Sequence, residues 1–299
     1  MSARAFHRYI GVDLGGGKGK NTAVAVLRPN GRSGATVERL APRLGDLPLY
    51  DGRLVELIQS YRDGPTVVAL DAPLSVPACL RCQVSVCPGQ EACVDPAVAV
   101  MRRLTAAPAS NHRDYRRGKP VITPYTQRAT EVYLNRRRSL LQHETATQST
   151  GPLAARAAHL SKALAATHRV GSNLIEVLPK ATVALLNLPK PYKRHIRERE
   201  TRVAILAALE GQLDFAPGVW REEGVQSDHV FDAVVCAMTA FLWARDSWQR
   251  PHDMGDLPGE DGWIWVPPET ETAPQEDPQD DDSGIALAAL ARKQNAGGA

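Results

Sequence analysis

Residues 9–27 read YIGVDLGGGKGKNTAVAVL, and they decide the fold. Residues 9–14 are apolar and rich in β-formers, residues 15–20 (GGGKGK) can only turn or loop, and residues 22–27 (TAVAVL) return as a second strand. Residues 35–40 (ATVERL) predict a third strand. Leu54, Leu57, Ile58 and Tyr61 recur at helical spacing, which predicts a helix over 51–62. Residues 65–72 (PTVVALDA) form a continuous apolar run ending in Asp-Ala-Pro, the pattern of a strand buried on both faces. This β-β-β-α-β order implies an α/β fold built on a mixed sheet.

Further along, Asp95 and Pro96 make a cap and first-turn pair that opens a helix towards Arg103. Residues 105–125 are polar and proline-containing, a long loop. Helices are predicted over 126–142, 153–168, 182–188, 197–213 and 228–248, with strands at 173–178 and 262–266. From about residue 267 the composition collapses to Pro, Glu, Asp, Gln and Thr. The expected organisation is therefore one domain over 1–267 followed by a disordered acidic tail over 268–299.

The 299 residues are 43% apolar and 23% charged, enough to bury a sizeable core. No run approaches the roughly 18 apolar residues of a membrane span. Residues 1–14 lack the apolar stretch of a secretory signal, and five cysteines in this length are no disulfide scaffold. The expectation is a soluble, cytoplasmic protein without a membrane partner. Its net charge of +3 hides an asymmetry. Residues 251–299 hold eleven acidic residues against Arg292 and Lys293, a net of −9, which leaves +12 for residues 1–250. A basic body with an acidic tail suggests a polyanionic partner.

Four acidic residues stand where chemistry often sits. Asp13 ends the first strand, Asp71 ends the strand after the first helix, Glu176 lies in a later strand, and Asp232 is on the last long helix. Asp228 and His229 precede Asp232 by one turn, on the same helix face. Carboxylates at the carboxyl ends of neighbouring strands meet at one sheet edge, and a helix crossing that edge adds Asp232 and His229. Such an oxygen-rich set suits Mg²⁺ or Mn²⁺. Two such ions about 3.5–4 Å apart stabilise the attacking and leaving oxygens of phosphodiester hydrolysis.

In this order GVDLGGGKGKNTAVAVL (11–27), VVALDAPLSVP (67–77), IEVLP (175–179) and SDHVFDAVVCAMTAFLWA (227–244) resemble a family of predicted nucleases of ribonuclease H-like fold. It is number four-twenty-nine in the domain-of-unknown-function series, and the likeness covers roughly residues 8–267. The resemblance implies a ribonuclease H-like mixed sheet flanked by helices. It makes Asp13 the first-strand metal aspartate, Asp71 the fourth-strand acid and Asp232 the acid on the last helix. Holliday-junction resolvases, to which the chain is distantly similar, carry Asp or His three residues before that last acid, the place of His229. Glu176 matches the family's Glu-x-x-Pro element.

Cys79-x2-Cys82-x4-Cys87-x5-Cys93 sets four thiols within fifteen residues, an insertion relative to that family. Softness and number suit one structural Zn²⁺, with an iron–sulfur cluster as the alternative. Cys236, among Val234, Val235 and Met238, reads as a core residue. Ten basic residues (Arg102, Arg103, Arg113, Arg116, Arg117, Lys119, Arg128, Arg136, Arg137 and Arg138) interleave with Tyr115, Tyr125 and Tyr133. Cations would contact phosphates and ring faces would stack unpaired bases, so nucleic acid is the expected partner.

GGGKGKNT is not a Walker A loop, because neither lysine precedes Ser or Thr, and no helix follows it as a dinucleotide fingerprint requires. The expected function is a metal-dependent nuclease, a hydrolase cutting DNA or RNA by a two-metal-ion mechanism. Asp13, Asp71 and Asp232 would hold the ions, with His229 and Glu176 as ligands or proton-transfer partners. One alternative is a non-catalytic nucleic-acid-binding protein with a zinc knuckle. The other is an ATP-dependent phosphotransferase of the same superfold, which needs two copies of the fold where one first-strand motif is present.

Overall fold

The first strand, β1 (Arg8–Asp13), sorts its side chains between two cores. Ile10 and Val12 join one apolar cluster, and Tyr9 joins another on the opposite face of the sheet, as period-two alternation requires. The computed structural model describes residues 5–16, 21–31, 33–44, 46–106, 120–140, 144–193, 198–255 and 257–268. Residues up to Pro268 form one compact unit. The acidic tail, 269–299, lies outside the described residues.

After β1 the chain runs through β2 (Ala23–Asn30), β3 (Gly34–Ala41), the short hairpin β4 (Arg43–Leu44) and β5 (Leu47–Pro48), and α1 (Asp51–Gln59). It continues with β6 (Thr66–Asp71), α2 (Ala78–Arg81), α3 (Pro96–Ala106), α4 (Ala129–Arg138) and α5 (Gly151–Leu164). Then come β7 (Leu174–Val177), α6 (Pro179–Leu185), α7 (Glu198–Ala208), β8 (Leu213–Phe215), α8 (Arg221–Gln226), α9 (Asp228–Arg245) and β9 (Ile264–Trp265). Seven strands make one mixed sheet in the order β8-β3-β2-β1-β6-β7-β9. β2 runs antiparallel to both of its neighbours, β1 and β3, whereas β6 runs parallel to β1 and β7 parallel to β6. Helices flank the sheet. The mixed α/β architecture read from the sequence is the one observed.

One cluster joins the sheet to α1 and α5 through Leu54, Leu57, Ile58, Ala157, Leu160 and Leu164. The other face is dominated by α9, every residue of which from Val230 to Ala244 is buried. A helix apolar all round must be covered all round. Here the sheet covers one side, and α6 and α8 pack against it as well. Among the described residues no helix is long and apolar enough to cross a membrane.

α9 reaches the sheet closely because β1 presents Gly11. A Cβ at this position would fall inside contact distance of the Ala233 carbonyl oxygen and the Ala237 amide nitrogen, both helix backbone atoms. Tyr9, two residues before, packs edge-on against Phe241 at 5.4 Å between ring centroids.

Two differences from the sequence reading have local causes. The helix expected over 197–213 ends at Ala208; the chain turns through Gly211 at φ +83° and adds Leu213–Phe215 to β3 as an edge strand. α4 starts at Ala129, later than expected, because the Glu131 carboxylate in its first turn accepts from the Arg128 amide at 3.0 Å and from the Arg128 guanidinium, which holds residue 128 extended outside the helix.

A side chain at Gly11 must push α9 away from β1. We expect Gly11→Val to destabilise the chain by about 1–3 kcal/mol or more, read as a lower midpoint in urea unfolding. An unchanged midpoint would show that the helix is not seated on this glycine.

Candidate functional site

Three of the carboxylates singled out in the sequence meet. Asp13 and Asp71 end β1 and β6 and are direct partners in the parallel register, so both leave the same sheet edge. α9 crosses that edge with Asp232. One oxygen from each of the three lies within 4.8 Å of the others, the one such group found among the described residues. His229 joins them through Nδ1, 2.6 Å from Asp13 Oδ2. An ionised carboxylate only accepts, so Nδ1 carries the proton and Nε2 is the nitrogen left for other partners. Ser227 caps α9 by accepting from Val230 N, which fixes the first turn on which Asp228 and His229 stand.

Crowding acids into a buried place has electrostatic consequences. Burial pushes the Asp71 carboxyl well above the usual range; Lys193 opposes this, and Asp13 and Asp232 add to it. Asp232 is pushed up to about 6, again first by burial, with Lys193 opposing and Asp13 reinforcing. The hydrogen bond to Asp13 raises the His229 pKa against the effect of its burial. These are the shifts expected where buried carboxylates are crowded together and a histidine is bonded to one of them.

Two residues of the site gave no sequence signal. Tyr192 donates its hydroxyl hydrogen to Asp232 Oδ1 at 3.0 Å, and Lys193 Nζ lies 2.6 Å from Asp232 Oδ2. Both sit between α6 and α7, Tyr192 forty residues before Asp232 in sequence, where no spacing rule operates.

Glu176 stands in different company. Its carboxylate accepts from Arg128 Nη1 and Nη2 at 2.7 and 2.6 Å and from the Leu74 amide at 2.9 Å. Arg128 also binds Glu131 and the Ser75 hydroxyl. At 3% exposure Arg128 is a core cation; burial lowers its pKa, but Glu176 and Glu131 outweigh this and raise it. The network ties β7, α4 and the segment after Asp71 together, so Glu176 positions that segment. Arg156 does the same for the glycine loop. It donates to Gly15 O and Thr22 Oγ1, both at 2.7 Å, and pairs with Asp51 at 2.6 Å.

The basic segment is only partly a surface. Arg128 and Tyr133 are buried, Arg102 donates to Gln90 O and Cys93 O, and Arg138 donates to Pro267 O. Tyr125 and Arg137 are exposed. Arg113, Arg116, Arg117, Lys119 and Tyr115 lie outside the described residues, as do Lys18 and Lys20 of the glycine loop. Cys79, Cys82 and Cys87 are exposed, Cys93 is half-buried and Cys236 is buried. No three of the Sγ atoms lie within 4.8 Å of one another.

The model of the family described as "Protein of unknown function (DUF429)" matches residues 11–254. The chain belongs to this family. No curated protein and no solved structure matches it. The DUF429 match spans Asp13, Asp71, the four loop cysteines, Glu176, Lys193, His229 and Asp232.

The raised Asp71 pKa has a stability consequence. A carboxyl raised on folding contributes stability that is fully present below the unfolded pKa and lost as pH rises through the folded one. We therefore expect metal-free Asp71→Asn to melt above the wild type at pH 8, by roughly 2–4 °C if about 1 kcal/mol is relieved. The difference should shrink towards pH 4, as calorimetry at the two pH values would show. A variant less stable at both would contradict this.

Proposed function

We propose that the chain is a metal-dependent nuclease of ribonuclease H-like fold that hydrolyses phosphodiester bonds of DNA or RNA. The convergence of Asp13, Asp71 and Asp232 carries this reading. The sheet supports it: three antiparallel strands continue into parallel strands, with an acid at the end of the first strand, the fourth long strand and on the last long helix. Those are the positions the family resemblance implies.

The donor set fits a hard divalent ion, because three carboxylate oxygens within 4.8 Å repel one another until a cation joins them. Mg²⁺ or Mn²⁺ there would activate water and stabilise charge developing on the scissile phosphate. The chain's own contribution is orientation and proton handling. Asp13 aligns the His229 ring through Nδ1, so that Nε2 exchanges a proton with the attacking water or the leaving oxygen. The Glu176–Arg128 network holds the backbone behind Asp71. A binding protein without turnover has no use for three crowded carboxylates beneath its surface, and a phosphotransferase of this superfold would need a second copy of the fold where the described residues form one seven-stranded sheet.

The test is Mn²⁺ binding by the full chain, followed by cleavage assays on branched, single-stranded and RNA–DNA hybrid substrates. The wild type should bind Mn²⁺ and cut one of these substrate classes. Asp13→Asn and Asp232→Asn should lose on the order of 100-fold or more in cleavage. Neither binding nor cleavage in the wild type would overturn the proposal.

We further propose that the cysteine segment holds one structural metal, Zn²⁺ before an iron–sulfur cluster. Burial pushes the Cys79 thiol up, and Cys93, Cys87 and Cys82 push it further, although no three of the Sγ atoms lie within 4.8 Å of one another without a metal to gather them. Leu80, Val84, Val86 and Val94 of the same stretch are exposed, Val94 to 92%. A segment that builds no apolar core of its own needs another fastening, and metal supplies it in small folds. Protein purified without oxygen should contain about one Zn per chain, or iron with sulfide. Neither metal, with all four thiols freely titratable, would contradict the assignment.

A further inference from the structure

The candidate site already contains a cation. We propose that the Lys193 ammonium is a resident charge of the acidic cluster, standing where a second divalent ion would bind, so that the site takes one Mg²⁺ or Mn²⁺. This deepens the nuclease reading and rests on its carboxylate site.

Three observations carry it. The first is contact: Nζ lies 2.6 Å from Asp232 Oδ2, while Tyr192 occupies Oδ1 of the same carboxylate. Each Asp232 oxygen thus already accepts once from the chain, which leaves lone pairs for one ion but not the open carboxylate that bridges two. The second is charge. With Asp13, Asp71 and Asp232 ionised, Lys193 leaves a deficit that one divalent ion closes, whereas a second would leave the buried site with a net positive charge before any substrate arrived. The third is that Lys193 is held in place. The neighbouring Tyr192 is buried, its ring lies 5.2 Å from that of Phe231 on α9, and its carbonyl accepts from Arg202 Nη1 at 2.7 Å. Arg202 is itself buried and also donates to Val225 O. The Lys193 side chain itself is 36% exposed. An ammonium has three donors, so one can stay on Asp232 while the others face an incoming phosphate oxygen.

Mn²⁺ titration of the full chain, by calorimetry and by electron paramagnetic resonance, tests this without reference to turnover. The wild type should bind about one Mn²⁺ at the carboxylates and give the hyperfine-resolved spectrum of an isolated ion. Lys193→Met should take up a second ion, with the spin coupling of a close pair, and hold the first on the order of tenfold more tightly. Lys193→Arg keeps the charge and should resemble the wild type, which serves as the check if the methionine variant folds poorly. A coupled pair of ions in the wild type would overturn the inference, since the lysine would then be displaced rather than resident. So would a single ion of unchanged affinity in Lys193→Met. Absence of any Mn²⁺ from the wild type would instead remove the metal site on which both readings stand.

Discussion

The seating of α9 on β1 is the contact on which the site depends. A strand presents the same face every two residues, a rise of about 6.7 Å, and a helix presents the same stripe every four, a rise of about 6 Å. The two ladders here run in step. Tyr9, Gly11 and Asp13 on the strand oppose Phe241, the Ala233–Ala237 backbone and His229 on the helix. The absent side chain at Gly11 brings the axes close enough for Asp232 to reach the carboxylates of the sheet edge. Parallel pairing of β1 with β6 then supplies Asp71 in register with Asp13. Fold and site are therefore fixed by the same few contacts.

Around this centre the chain balances buried charge in two ways. Beside Asp71, the one Arg128 guanidinium reaches both Glu176 and Glu131 with direct hydrogen bonds, and Thr145 adds a further donor to Glu131. Such a network is costly to break and positions what it touches. The Asp13–Asp71–Asp232 set has the Lys193 ammonium on one of its three carboxylates, and burial pushes Asp71 and Asp232 upward. That contrast separates Glu176 from the other three acids more clearly than its place in a strand does.

Much of the scaffold was legible in the sequence because it depends on local pattern. The apolar run over 65–72, the glycine break after Asp13 and the long apolar helix gave the sheet core and its three aspartates. Pairing across distance was not legible. Arg128 belongs to a basic run and looks solvent-facing until Glu176, 48 residues later, is brought beside it. Lys193 lies in a short basic stretch that reads as a charged face, yet its amine reaches Asp232. Gly11 looks like an ordinary strand residue until a helix more than 200 residues later covers it. Sequence periodicity reports which face is buried, but not what arrives on it.

The most direct measurement is anomalous diffraction from crystals of the full chain grown with Mn²⁺. We expect the Mn²⁺ signal within bonding distance of carboxylate oxygens of Asp13, Asp71 and Asp232. Mn²⁺ bound elsewhere, with those three side chains contacting only protein groups, would contradict it.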